Sequence, residues 1–282
     1  MRLRTALALG RVSNLPTVWS NTLAGVVLAG AGGLGAQFAV LLLAFSLFYT
    51  GGMFLNDAFD AQIDAAQRPE RPIPSGEVSR RAVFAWGYGM MALGAALLAL
   101  FGAAPALAGV ALAASITFYD WRHKGNVFGP VVMGLCRVLV YVAAGLCITS
   151  ALPEALWIGA ALMWCYLIGL TYVAKQENLG RVENLWPLAF LAAPVAYGAW
   201  LATGQPVLWP FWLLFTGWML VALWFLRRRA KGDIPRAVVS LIAGISLLDA
   251  LLVAGAGAPL LALWALAGFG VSLFLQRYIA GT

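Results

Sequence analysis

The chain has 282 residues, 62% of them hydrophobic and 10% charged, with a formal net charge of +7. Soluble domains carry about 25% charged residues, so this composition excludes the soluble classes and indicates a polytopic membrane protein. The positive balance needs no nucleic-acid partner, because basic loops lie naturally against anionic lipid.

Ten apolar runs follow one another, near 16–35, 37–59, 82–102, 104–119, 127–149, 154–173, 186–202, 207–226, 236–255 and 258–276. A bilayer core requires about 20 residues of helix; the fourth and seventh runs are short. The backbone must satisfy its own hydrogen bonds in lipid. Leu, Ala, Gly and Trp dominate without period-2 alternation, so the runs are helices rather than barrel strands. The expected fold class is an all-α polytopic membrane protein, a single helical bundle across 1–282 with nine or ten transmembrane helices.

Arg2, Arg4 and Arg11 precede the first run, which reads as an ordinary start helix rather than a cleaved signal. All but Arg137 of the 18 Lys and Arg fall in the termini or in alternate loops. The loops near 36, 103, 151, 204 and 257 hold none. The positive-inside rule then places both termini in the cytoplasm and makes the number of spans even. The Ala- and Leu-rich, lysine-poor composition points to a bacterial cytoplasmic membrane. Cys136, Cys147 and Cys165 all lie inside spans without metal spacing, and His123 is the only histidine. Neither a disulfide framework nor a zinc site is expected.

The second run ends in Asn56-Asp57-Ala58-Phe59-Asp60-Ala61-Gln62-Ile63-Asp64. Asn56, Asp60 and Asp64 stand at i, i+4 and i+8, one face of a helix. Three oxygen-bearing side chains on one face suit a hard divalent cation, which in turn can hold a diphosphate. Asp57 lies off that face. Further polar residues, Asp120 to Lys124 and Glu177 with Glu183, fall in loops on the same predicted side.

Asn56-xxx-Asp60-xxx-Asp64 followed by Arg68-Pro69-Glu70-Arg71-Pro72-Ile73-Pro74-Ser75-Gly76 resembles the first signature of the UbiA superfamily of intramembrane aromatic prenyltransferases. Tyr119-Asp120-Trp121-Arg122-His123-Lys124-Gly125-Asn126 is similar to the family's Tyr-xxx-Lys region, with the lysine one place later. The likeness runs from about Arg11 through Arg181. It implies a UbiA-like bundle that uses Mg²⁺ to transfer an isoprenyl group from its diphosphate to a small aromatic or lipophilic acceptor. Asn56, Asp60, Asp64 and Glu177 would be the metal ligands. Asp60, Asp64, Lys124 and Glu177 would carry the chemistry. Arg68, Arg71, Tyr119, Arg122, Arg137, Tyr172, Lys175 and Arg181 would contact substrate. For the loop arginines and Lys124, anchoring at the membrane surface stands beside diphosphate contact.

Two departures accompany the likeness. The family's second signature carries Asp-xxx-Asp, whereas Thr171-Tyr172-Val173-Ala174-Lys175-Gln176-Glu177-Asn178-Leu179-Gly180-Arg181 has one acid and an arginine four places on. That stretch and Tyr119–Asn126 look like an EboC-like branch of UbiA relatives. The family has nine spans, and the charge pattern favours ten. The altered motif, with Arg137 and Asp249 inside spans, motivates the alternative of a non-catalytic carrier of a lipophilic metabolite. A phosphatidyltransferase is disfavoured, because its Asp-Gly-x-x-Ala-Arg string is missing.

Overall fold

The computed structural model describes residues 1–124, 126–175 and 186–279. These residues are helical, with no strand among them, as chain-internal hydrogen bonding in lipid demands. Helix α1 (Leu3–Leu9) leads through a 3-10 turn (Val12–Asn14) into α2 (Leu15–Leu28). Pro16 fits the first turn of α2, where its missing N–H has no helical partner.

Helix α3 (Ala36–Gln67) has 32 residues and is therefore about 48 Å long. The hydrocarbon core is about 30 Å thick. Residues 36–55 are uncharged and suffice to cross it; residues 56–67 carry the three aspartates on beyond it. Hydropathy ends this run at 59. The helix continues eight residues further, because Ala61, Ala65 and Ala66 favour it and its polar face is enclosed by protein.

The remaining helices are α4 (Arg80–Ala99), α5 (Ala103–Arg122), α6 (Gly129–Leu146), α7 (Glu154–Lys175), α8 (Ala192–Gly204), α9 (Trp209–Arg228), α10 (Asp233–Gly255) and α11 (Pro259–Leu275). A helix stands at each of the ten expected positions. Seven are long and apolar enough to cross a membrane, namely α3 to α7, α9 with the turn before it, and α10. Helices α2, α8 and α11, at 14, 13 and 17 residues, fall short of that length. The chain is an integral membrane protein.

Glycine sets the contact between α3 and α4. A Cβ on Gly51 of α3 would lie 2.7 Å from the Gly87 carbonyl oxygen of α4, and one on Gly94 would lie 3.0 Å from the Ala44 carbonyl oxygen. Small residues let two backbones approach in lipid, where dispersion rather than hydrophobicity drives helix association. Helix α10 is enclosed by α2, α7, α9 and α11, and most of its residues are buried. The turn into it is closed by Arg228, whose Nε and Nη2 lie 2.8 and 2.6 Å from the two oxygens of Asp233.

Candidate active site

Polar side chains collect where the C-terminal ends of α3, α5 and α7 meet the N-terminal end of α6. From there a cavity of about 850 Å³ runs into the bundle. Asn56, Asp60 and Asp64 all line it, and all three are buried. They share one wall because α3 is unbroken through this segment.

Each of the three is held by a neighbour. Lys124 Nζ lies 3.0 Å and His123 Nε2 3.6 Å from Asp60 Oδ2. Arg71 Nη1 lies 2.9 Å from Asp64 Oδ2. It reaches there because the 68–79 loop folds back over the helix end: Ser75 N–H bonds to the Arg71 carbonyl, Gly76 adopts a left-handed φ of 80°, and Arg80 Nε donates to the Ala58 carbonyl at 2.7 Å. Asn56 Nδ2 donates to Asp120 Oδ1 at 3.1 Å, while its Oδ1 accepts from Arg11 at 3.3 Å. Asp57 faces away from the cavity and pairs with Arg11 and Arg71 at 3.2 and 3.3 Å.

The donor types, two carboxylates and an amide oxygen on one wall, are those a hard cation takes, although among the described residues no three acidic or imidazole groups are gathered closely enough to hold one ion. Asp120 adds a fourth oxygen group. Its side chain is buried, lines the same cavity, and its Oδ2 has no hydrogen-bond partner among the described residues. A buried carboxylate oxygen without a partner is costly unless something binds it.

The structure also brings Arg68, Arg71, Tyr119, Lys124, Arg137, Tyr172 and Lys175 to this cavity. Tyr119 stacks on His123, with ring centroids 5.1 Å apart. Lys175 donates to the Asn126 carbonyl. Arg122 goes elsewhere: it is exposed, and its guanidinium lies 4.1 Å above the Trp121 ring, outside the cavity wall. Glu177 and Arg181 lie outside the described residues.

Sequence reasoning missed two members. In the sequence Arg11 is one of the basic residues that orient the chain, yet its left-handed backbone (φ 41°) turns its side chain onto Asn56 and Asp57. Asp120 was noted only as a polar neighbour; its place directly after Tyr119, within the Tyr-xxx-Lys-like string, was the available signal.

Deeper in the cavity a second polar group forms. Arg137 Nη1 donates to the Thr17 carbonyl at 3.3 Å and to Asn21 Oδ1, and Nη2 donates to Thr17 Oγ1 at 3.2 Å. Asn21 Nδ2 donates in turn to Asp249 Oδ2 at 2.7 Å. Asp249 is fully buried and also accepts from Ser20 and Tyr141. The surrounding wall is apolar, with Val18, Phe45, Phe48, Val140 and Ile245.

The profile of the UbiA prenyltransferase family matches residues 18–183. The digeranylgeranylglyceryl phosphate synthase of Methanopyrus kandleri is 30% identical over 207 residues, which cover 71% of this chain and 72% of that one. Another digeranylgeranylglyceryl phosphate synthase, from Metallosphaera sedula, is 33% identical, but over only 39% of either chain. Among solved structures, the apo form of a UbiA homologue from Aeropyrum pernix K1 superposes with a TM-score of 0.64 at 19% identity, over 84% of this chain and 97% of the other. A UbiA homologue from Archaeoglobus fulgidus bound to DMAPP and Mg²⁺ gives a TM-score of 0.56 at 17% identity, over 90% and 98%.

Proposed function

The chain belongs to the UbiA prenyltransferase family, and on that premise we propose that it transfers an isoprenyl group from a prenyl diphosphate to a small aromatic acceptor within the membrane. One observation carries the reading: Asn56, Asp60 and Asp64 line the polar end of a cavity that continues between the apolar side chains of Val18, Phe45, Phe48, Leu112, Val140 and Ile245. That combination suits a substrate with a diphosphate head and a hydrocarbon tail.

Asn56, Asp60 and Asp64 would hold Mg²⁺, with Glu177 as the further ligand available from the sequence; once bound, the ion supplies Lewis-acid charge for a departing diphosphate. Lys124 and Arg71, paired with Asp60 and Asp64 in this structure, then turn to the diphosphate oxygens. Arg68, Lys175, Tyr119 and Tyr172 line the same space, and Arg181 is a further cation of the adjoining segment. The allylic C–O bond breaks and its electron pair leaves with the diphosphate. The acceptor's electron-rich atom attacks the allylic carbon and releases a proton. Phe45, Phe48, Leu112 and Ile116 keep water from the cation and accommodate the tail. The homologue bound to DMAPP and Mg²⁺ supports the choice of donor and ion. The charge distribution of the loops supports a site facing the cytoplasm.

The test is pyrophosphate release by the purified protein in nanodiscs, with Mg²⁺, a series of isoprenyl diphosphates and a panel of phenolic acceptors. Release that needs metal, acceptor and Asp60 is the expected result. Mg²⁺-dependent binding of donor with no release from any acceptor would overturn the transferase in favour of a carrier.

A further inference from the structure

Helix α1 buries one face and leaves the other open. Thr5 and Leu9, four residues apart, are buried, whereas Leu3 and Leu7, also four apart, are 76% and 36% exposed. Leu9 joins Phe54, Ala58 and Val83 in a small apolar cluster separate from the main core. A Cβ on Gly10 would lie 3.0 Å from Thr50 Cγ2. The end of α1 therefore rests against α3 between residues 50 and 58, and the uncharged stretch of α3 ends at 55. That level is the boundary between hydrocarbon and headgroups.

The open face has the chemistry of that boundary. Arg2 and Arg4 are exposed and flank Leu3 in the chain. Neither guanidinium has a partner among the described residues. An apolar stripe bordered by basic residues is the pattern of a helix lying on a lipid surface. The leucines enter the acyl boundary, and the arginine stems spread so that their heads reach phosphate. Charge selects the kind of surface: each arginine strengthens attachment to an anionic leaflet by roughly fivefold.

The buried face of α1 is tied to the acidic end of α3 by two routes. Thr5 Oγ1 donates to Glu77 Oε2 at 2.8 Å, which fastens α1 to the 68–79 loop. Arg71 of that loop reaches Asp64. The second route is the chain itself, which passes from α1 through Gly10 to Arg11, the partner of Asn56 and Asp57.

We propose that the Leu3–Leu7 face of α1 is an interaction surface for an anionic lipid leaflet, with Arg2 and Arg4 on lipid phosphates, and that seating there holds the 68–79 loop and Arg11 against the acidic end of α3. A neutral leaflet accepts the leucines but gives the arginines no counter-charge, so α1 and the loop open more often in it. The proposal does not depend on the reaction catalysed. It makes the charge of the surrounding lipid a determinant of how firmly the polar end of the cavity is closed.

The test is hydrogen–deuterium exchange on the full chain, in nanodiscs of phosphatidylcholine alone and of phosphatidylcholine mixed with phosphatidylglycerol. In the mixed discs, amides 3–10 and 68–79 should exchange roughly fivefold more slowly or better, while α10 stays unchanged. Both arginines are exposed, so the double variant Arg2→Gln, Arg4→Gln keeps the fold; it should lose the difference in both segments. A general effect of surface charge on exchange would survive in that variant. Thr5→Val should keep the lipid effect on α1 and weaken it at 68–79. Equal exchange in the two lipids, or slowing that survives the double variant, would overturn the anionic-lipid contact. Slowing confined to α1 in the wild type would overturn the hold on the loop. Protection of α1 that follows the number of copies in a disc rather than lipid charge would assign the face to a second copy, and overturns the proposal as well.

Discussion

Lys124 Nζ lies 3.0 Å from Asp60 Oδ2, although the two sit on different elements 64 positions apart. The lysine is half exposed and the aspartate almost completely covered, so the contact joins a solvent-facing cation to an enclosed anion. That asymmetry suits a cation that changes partners when substrate arrives.

Removing the enclosed member is the most direct test. Asp60→Asn and Asp64→Asn should each lower pyrophosphate release by roughly 100-fold or more, and chelating Mg²⁺ should have the same effect on the wild type. Because Asn is isosteric and each aspartate is one wall of a preformed cavity, the melting temperature should move by only a few degrees. Normal turnover in both variants would defeat the assignment.

Lys124 and Arg122 are near neighbours with opposite surroundings. Arg122 lies over Trp121 and away from the cavity wall, whereas Lys124 reaches Asp60. Lys124→Ala should raise the KM for prenyl diphosphate at least tenfold, a scale set by charge-assisted hydrogen bonds. Arg122→Ala should change it by no more than a few-fold. Equal losses would mean that surface charge, not contact, controls donor binding.

Asp120 offers a second probe of the metal end. Asp120→Asn removes an ionisable carboxyl beside Asn56 and keeps an amide oxygen that can accept the Asn56 hydrogen bond. The Mg²⁺ concentration for half-maximal donor binding should rise several-fold, with a smaller effect at saturating Mg²⁺. An unchanged Mg²⁺ requirement would reduce Asp120 to a structural neighbour.

The deep network should carry stability as well as shape. Asp249 accepts from Ser20, Asn21 and Tyr141. Asp249→Leu leaves the Asn21 amide and the Tyr141 hydroxyl buried without an acceptor, while Ser20 keeps the Thr17 carbonyl and Ser246, and should cost roughly 3 kcal/mol or more. Tyr141→Phe removes one donor and should cost about 1 kcal/mol. Thermal melts in a single detergent would rank them, and a reversed order would refute the hydrogen-bond account.

Glycine contacts predict a sharp contrast within α4. Gly87→Ala places a methyl group 2.7 Å from a Leu55 side-chain carbon and 3.0 Å from the Gly51 carbonyl oxygen, whereas Gly89→Ala meets nothing within 4 Å. The first should destabilise by about 1–3 kcal/mol. The second should be neutral or slightly stabilising, since alanine restrains a helix better than glycine. Similar melting temperatures for the two would argue against close α3–α4 packing.

Much of the fold was legible because lipid leaves the backbone few choices: every apolar run became a helix, and the i, i+4, i+8 spacing brought Asn56, Asp60 and Asp64 to one wall. Hydropathy failed where its premise did. It ended the second run at 59, because it cannot register that a polar helix end is enclosed by a folded-back loop. Arg11 and Asp120 were hidden for a related reason. Their roles come from contacts across 45 and 64 positions, set by one left-handed residue and one helix crossing, and local spacing contains neither. Arg137 stands out in the sequence as a charge in an apolar run, but its hydrogen bonds to Thr17 and Asn21 come from another helix.

The 32-residue helix α3 has a consequence for the membrane around it. Its lipid-crossing part and its acidic part form one rigid rod, so the height of the acids above the bilayer midplane is a fixed property of the protein. Bilayers differ in thickness by several ångströms, and helices answer such mismatch by tilting or by deforming nearby lipid. A thicker bilayer draws the acids down among the headgroups, while a thinner one lifts them into water. The lipid composition of the host membrane thereby becomes a variable of the chemistry, setting how readily a water-borne head and an oil-borne tail meet at the same end of the rod.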